Sequence, residues 1–283
     1  MAYFLLFAGL ILASCTPITK TLIDQADQTA AAHGFEQRFV DGGLFRFYAQ
    51  SRVDPLSREA VVYIEGDGRA WLSRTRPSLN PTPRQPLGLL LATADNHHRT
   101  VFYLARPCQF MMTGDDSHCR QKYWTSHRYS EEVVAAYQHV LSQLKQQYQL
   151  EQFHLVGFSG GAAIAALLAA RRDDIVSLRT VAGNLDTVFF TQLHQVSAMP
   201  ASLNPADVAA KLAELSQLHF VGSNDSVVPK AIAESYLSAM AVPNCGAISL
   251  QGAGHIDGWL SIWPQLLQLS PPCAGVTAPA FND

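Results

Sequence analysis

The sequence is poor in charge. Only 15% of its 283 residues are Asp, Glu, Lys or Arg, the formal net charge is -3, and no basic run or stripe is present. The electrostatic footprint of a nucleic-acid binder is therefore missing, and nucleic-acid partners are disfavoured. No Cys-x-x-Cys pair occurs, which argues against a redox or zinc centre. His97, His98, Asp115 and Asp116 lack metal-ligand spacing, so a metallohydrolase is disfavoured and no metal or other cofactor is expected. Internal repeats, low-complexity tracts and a second domain are also wanting. At 48% hydrophobic residues the chain has enough apolar side chains for one large core and does not read as disordered.

The first apolar run, Tyr3 to Ala13, is too short to cross a bilayer and has the length of a signal-peptide core. No lysine or arginine precedes it, so the α-amino group alone supplies positive charge there. It ends in Leu12-Ala13-Ser14-Cys15. That tetrapeptide resembles the lipobox of bacterial lipoproteins, which implies cleavage before Cys15 and a lipid on that cysteine. Several acyl chains, each CH₂ contributing about 0.8 kcal/mol, hold a soluble domain to a membrane without a spanning helix. Residue 16 is threonine rather than aspartate, which implies the outer membrane. The expected organisation is a signal peptide over 1–14, a lipidated tether and lead-in over 15–34, and one domain over 35–283. The site of action would be the bacterial envelope, facing the periplasm or the surface. Of five cysteines, four remain: Cys108, Cys119, Cys245 and Cys273. They allow three disulfide connectivities, of which the local pairs Cys108–Cys119 and Cys245–Cys273 are the most economical; buried free thiols are the alternative.

Past residue 34, Phe35 to Val40 and Phe45 to Gln50 flank Asp41-Gly42-Gly43 and read as an antiparallel hairpin. Strand and helix patterns then alternate, as in a mainly parallel sheet covered on both faces. Helices are predicted at Glu131 to about Tyr148, Gly160 to Ala170, Val227 to Met240 and Gly258 to Leu269. Residues 153–161, Phe-His-Leu-Val-Gly-Phe-Ser-Gly-Gly, run from an apolar strand into Gly157-x-Ser159-x-Gly161 and then into an alanine-rich helix. This is the strand, turn and helix of a nucleophile elbow, which holds a serine hydroxyl clear of the backbone. A second strand, Leu218 to Gly222, ends in a polar turn bearing Asp225. A third, Ile248 to Gln251, ends in a glycine-loosened loop bearing His255.

Serine, acid and histidine in this chain order resemble the α/β-hydrolases, and the similarity extends from about Phe35 to about Leu269. The resemblance implies a mainly parallel sheet of about eight strands with helices on both faces and an N-terminal antiparallel hairpin. It implies Ser159 as nucleophile, His255 as general base and Asp225 as the residue that orients the imidazole, with Asp186 as a rival acid one strand earlier. His154 and His219 read as packing residues within strands. An oxyanion hole would use the backbone N–H of Gly160 and a second N–H from Glu65-Gly66-Asp67-Gly68, that of Asp67 or Gly68. Relatives often carry His-Gly there. Two carboxylates beside developing negative charge must point away or be neutralised, and Arg106 or Arg69 is expected to pair with them.

The insertion at 107–129 offers Phe110, Met111, Met112, Tyr123 and Trp124 either as an acyl or aromatic site or as packing. Val188, Phe189, Phe190 and Leu193 suggest a small cap and hence a small or medium acyl ester, and the expected enzyme is a monomer without cofactor. The expected activity is carboxylic ester hydrolysis. Thioesters, amides and acyl transfer use the same machinery, and a non-catalytic binding or assembly lipoprotein is the competing class.

Overall fold

A computed structural model describes residues 18–112, 114, 116–242 and 244–273. Signal peptide, lipidation at Cys15 and Asp115 lie outside the described residues. Eight strands form one sheet in the order β1-β2-β4-β3-β5-β6-β7-β8. The hairpin β1 (Glu36–Asp41) and β2 (Arg46–Arg52) is antiparallel, and β2 also runs antiparallel to β4 (Val101–Leu104). From β4 onward, β3 (Glu59–Ile64), β5 (Gln152–Phe158), β6 (Ile175–Val181), β7 (Ser216–Gly222) and β8 (Gly246–Gln251) are all parallel.

A parallel sheet covered on both sides needs strands that are apolar on both faces, and β3 reads Ala60-Val61-Val62-Tyr63-Ile64, all buried. Side chains alternate, so Ala60, Val62 and Ile64 enter the core beneath α3 (Glu131–Tyr148) and α4 (Gly160–Ala169). Val61 and Tyr63 enter the opposite core, under α2 (Leu87–Thr93) and α7 (Trp259–Leu266), where Trp259 and Trp263 are wholly buried. Every residue of α4 is buried. Ile164, Leu167 and Leu168 each contribute roughly 1.5–3 kcal/mol through that burial, while the alanines between them let the helix lie close to the strands.

The lead-in is part of the globule rather than a tether through residue 34. α1 (Ile18–Ala31) buries Ala26 and Ala30, and Asp27 accepts hydrogen bonds from the Tyr48 hydroxyl at 2.7 Å and Gln50 Nε2 at 2.6 Å. Two disulfides, Cys108–Cys119 and Cys245–Cys273, have Cα separations of 5.5 and 5.6 Å. Closing the first loop stabilises by about 3 kcal/mol on the chain-entropy argument.

The insertion side chains are packing residues. Phe110 stacks on Tyr48 with ring centroids 4.7 Å apart, and Tyr123 meets Phe45 edge-on at 4.7 Å. Trp124 packs with Ala70 and Cys108 and donates from Nε1 to the Ser78 carbonyl at 3.0 Å. The helix expected from Val227 starts later, as α6 (Lys230–Ser238), because Pro229 stands extended as its N-cap and disfavours a helical conformation for Val228 before it. Among the described residues no helix is long and apolar enough to cross a membrane.

Candidate active site

Ser159 follows the last residue of β5 and precedes the first of α4, in a left-handed conformation with φ 50° and ψ -117°. A non-glycine residue held there stores roughly 1–3 kcal/mol of strain. Surrounding hydrogen bonds impose it: the Ser159 N–H donates to the Val181 carbonyl at 2.9 Å, and its carbonyl accepts from Ala162 at 3.1 Å and Asn184 at 3.0 Å. The flanking glycines are required by space. A Cβ on Gly157 would collide with Ala162 backbone, and one on Gly161 with the carbonyl oxygens of Ile64 and Glu65. Gly161→Ala should therefore push α4 off β3, costing about 3 kcal/mol in thermal or denaturant unfolding, with the serine displaced.

The three sequence-predicted groups converge at the carboxyl ends of β5, β7 and β8. His255 Nε2 lies 3.1 Å from Ser159 Oγ, and Nδ1 lies 2.9 Å from Asp225 Oδ2. Asp225 has a side chain with no exposure, and its Oδ1 accepts from the N–H groups of Val227 and Val228, both at 2.8 Å. One carboxylate oxygen is thus fixed by backbone and the other is left for the imidazole. Phe158 packs against the His255 ring at 5.4 Å. Asp186 is elsewhere: it caps α5 (Thr187–Leu193) by accepting from Phe189 N–H at 3.0 Å and takes the Ser235 hydroxyl at 2.6 Å. His219 is buried on Thr180, and burial pushes its pKa down to about 3. His154 is half-buried with Nδ1 2.7 Å from Ser177 Oγ, and His98 pairs with Asp95, before the amino end of β4 and away from Ser159.

The loop after β3 holds its two carboxylates by different means. Glu65 is buried and accepts from the N–H groups of Gly66, Gly88 and Leu89 and from the Tyr103 hydroxyl; burial outweighs these donors and raises its pKa. Asp67 accepts from Arg106 at 2.8 Å, from Arg128 at 2.7 Å and from the Tyr129 hydroxyl at 2.9 Å. Burial pushes the Asp67 pKa up, but the Arg128 and Arg106 guanidinium groups overcome it and hold the carboxyl below the ordinary aspartate range. The expected arginine pairing is therefore met at Asp67 by Arg106, while Glu65 is held by backbone and Tyr103, and Arg69 is exposed with no ion pair among the described residues. Arg128 and Tyr129 escaped the sequence reading, and nothing in their spacing marks them.

Asp67 also packs over the elbow, since a Cβ on Gly160 would strike its carboxylate. Among the described residues, the N–H groups of Asp67 and Gly68 have no protein acceptor. Gln109 braces the same loop through Nε2 to the Gly66 carbonyl at 2.9 Å.

Ser159 and His255 open into a cavity of about 570 Å³, bordered by Trp71, Phe190, Val227 and Ile256. A second cavity of about 520 Å³ shares Trp71, Arg128, Phe190 and Val227 with it. None of Phe110, Met111, Met112, Tyr123 and Trp124 lines either one.

A family model described as the alpha/beta hydrolase fold matches residues 113–243. Comparison with curated proteins finds no match. Among solved structures, an esterase from Pyrococcus furiosus is similar with TM-score 0.58 at 11% identity, covering 94% of this chain and 95% of that one. The esterase Est1E from Butyrivibrio proteoclasticus gives 0.56 at 12% identity, with 82% and 95% covered. A Xanthomonas campestris protein described as an α/β serine hydrolase without lid gives 0.52 at 14%, with 82% and 94% covered. The chain has the α/β-hydrolase fold.

Proposed function

We propose that the protein is an envelope-anchored serine hydrolase that cleaves carboxylic esters of small or medium size through an acyl-enzyme on Ser159. The observation that carries this reading is the unbroken contact from Ser159 Oγ to His255 Nε2 at 3.1 Å and from His255 Nδ1 to Asp225 at 2.9 Å, on a serine whose backbone is held at φ 50°. Ser159 Oγ attacks the ester carbonyl carbon as its proton passes to His255 Nε2. Charge on the carbonyl oxygen is received by the N–H of Gly160 and by that of Asp67 or Gly68. Collapse expels the alcohol, which takes the proton from His255. Water then attacks the acyl-enzyme with His255 again as base and releases the acid. Asp225 accepts from Nδ1–H throughout, fixing the tautomer. The anchor is the lipid on Cys15, and the site faces the periplasm or the cell surface.

A fluorophosphonate probe tests the serine directly: folded wild type is expected to label once, on Ser159, and a folded protein that stays unlabelled ends the proposal. The assignment of the acid has its own test. Asp225→Asn should preserve the contacts but favour the wrong imidazole tautomer, lowering kcat on p-nitrophenyl esters about 10⁴-fold. Asp186→Ala should leave turnover intact and cost about 1 kcal/mol of stability as a lost helix cap. Anchoring is tested by mass spectrometry of the mature N-terminus.

A further inference from the structure

We propose that the loop of residues 69–84 is a docking surface for an anionic phospholipid bilayer and seats the cavity mouth against lipid. The loop carries Arg69, Arg74, Arg76 and Arg84 with no Asp or Glu between them, in a chain whose net charge is -3. All four are exposed, and none belongs to an ion pair among the described residues. Arg74 is turned to the carbonyls of His194 and Gln195. Unpaired guanidinium groups gathered on one loop are attracted to an anionic leaflet, each adding to the others near the surface.

The same loop exposes apolar side chains where a soluble face has no use for them: Trp71 is 41%, Leu72 36% and Leu79 91% exposed. Its tip is held in shape by a bridge between Trp71 and Pro77 and by the Leu72 N–H donating to the Arg76 carbonyl at 2.8 Å. Tryptophan with arginine is the composition that settles at the headgroup level. Arg69, Trp71 and Arg84 also line the cavity of Ser159, so a bilayer meeting this loop meets the mouth.

The chain end points to the same face. Asn80 Nδ2 donates to Thr19 Oγ1 at 2.7 Å, which brings the first turn of α1 onto this loop, with Ile18 beside it 71% exposed. Cys15 precedes Thr19 by four residues. Four residues reach at most about 14 Å, so a lipid on Cys15 would lie within that distance of Thr19. This last argument rests on the lipid anchor proposed above, whereas the charge and the exposed apolar side chains do not.

Trp71 is the exposed one of four tryptophans, since Trp124, Trp259 and Trp263 are buried, and this makes it a site-specific reporter. The full chain is mixed with vesicles of brominated phosphatidylcholine, with or without brominated phosphatidylglycerol. The expected result is quenching of one tryptophan component by the phosphatidylglycerol vesicles, weakened by salt and removed by Trp71→Phe. Leu72→Ser, Arg76→Gln and Leu79→Ser together, none of which lines either cavity, should raise the lipid needed for half-quenching at least about fivefold while turnover of a water-soluble ester is kept. If the triple variant loses that turnover, Arg76→Gln and Leu79→Ser singly make the same test. Quenching that is absent, or equal in the variants and wild type, overturns the proposal. A lipidated chain that floats with vesicles while Trp71 stays unquenched overturns docking and retains the anchor. An unlipidated chain that is quenched retains docking and shows that docking does not require the anchor.

Discussion

Ser159→Ala should lower kcat/KM on p-nitrophenyl esters by roughly 10⁴- to 10⁶-fold and abolish fluorophosphonate labelling, with the fold unchanged. What remains would come from the oxyanion donors and from substrate held in the cavity, neither of which depends on the hydroxyl. The side chain is nearly free of structural duty: among the described residues its hydrogen bond is the one to His255, while the turn is fixed by the backbone bonds to Val181, Ala162 and Asn184. Stability gives the companion result. Because residue 159 sits at φ 50°, Ser159→Gly should relieve about 1–2 kcal/mol of strain and raise the unfolding midpoint while removing activity. A glycine variant less stable than wild type would show that the conformation is not strained, and residual turnover near wild type in the alanine variant would remove Ser159 from the mechanism.

The parts of this site that were legible in the sequence are those where one residue type answers one local need. Glycines at 157 and 161 stand where a Cβ would strike neighbouring backbone, and continuous apolar runs marked the strands that deliver Ser159 and Asp225. Helix α3 was bounded correctly because its apolar stripe is long and periodic. What stayed hidden depends on distant neighbours. Phe110, Tyr123 and Trp124 had equal claim to pocket and core until Tyr48, Phe45 and Ala70 were seen to cover them. The alanine-rich lead-in read as a tether because the contact of α1 with the sheet is made by small residues and by Asp27 rather than by an apolar stripe. Asp67 looked like a threat to the oxyanion hole, and the second arginine that disarms it comes from the far end of an insertion.

That arrangement makes Asp67 the side chain outside Ser159, Asp225 and His255 whose loss should cost most. The Arg106 and Arg128 side chains are only 5% and 14% exposed, and both donate to Asp67. In Asp67→Ala two buried cations lose their common partner, which should destabilise by about 3–5 kcal/mol. The same substitution frees the loop that presents the N–H groups of Asp67 and Gly68, and losing one oxyanion donor lowers kcat about 10²- to 10³-fold. Packing and charge can be separated in the Asp67→Ala background by adding Arg128→Met: recovery of stability means that an uncompensated cation caused the loss, whereas a further fall means that contact did. The pH dependence has a definite sign. A carboxyl held below the ordinary aspartate range contributes stability that is complete above that range and is lost as pH falls through its lowered value. Wild type should therefore lose stability on acidification more steeply than Asp67→Asn, whose side chain does not titrate, and the difference in their unfolding free energies should shrink between neutral and strongly acid pH. Equal slopes would mean that Arg106 and Arg128 do not hold the Asp67 charge, and the electrostatic account of this loop would fail.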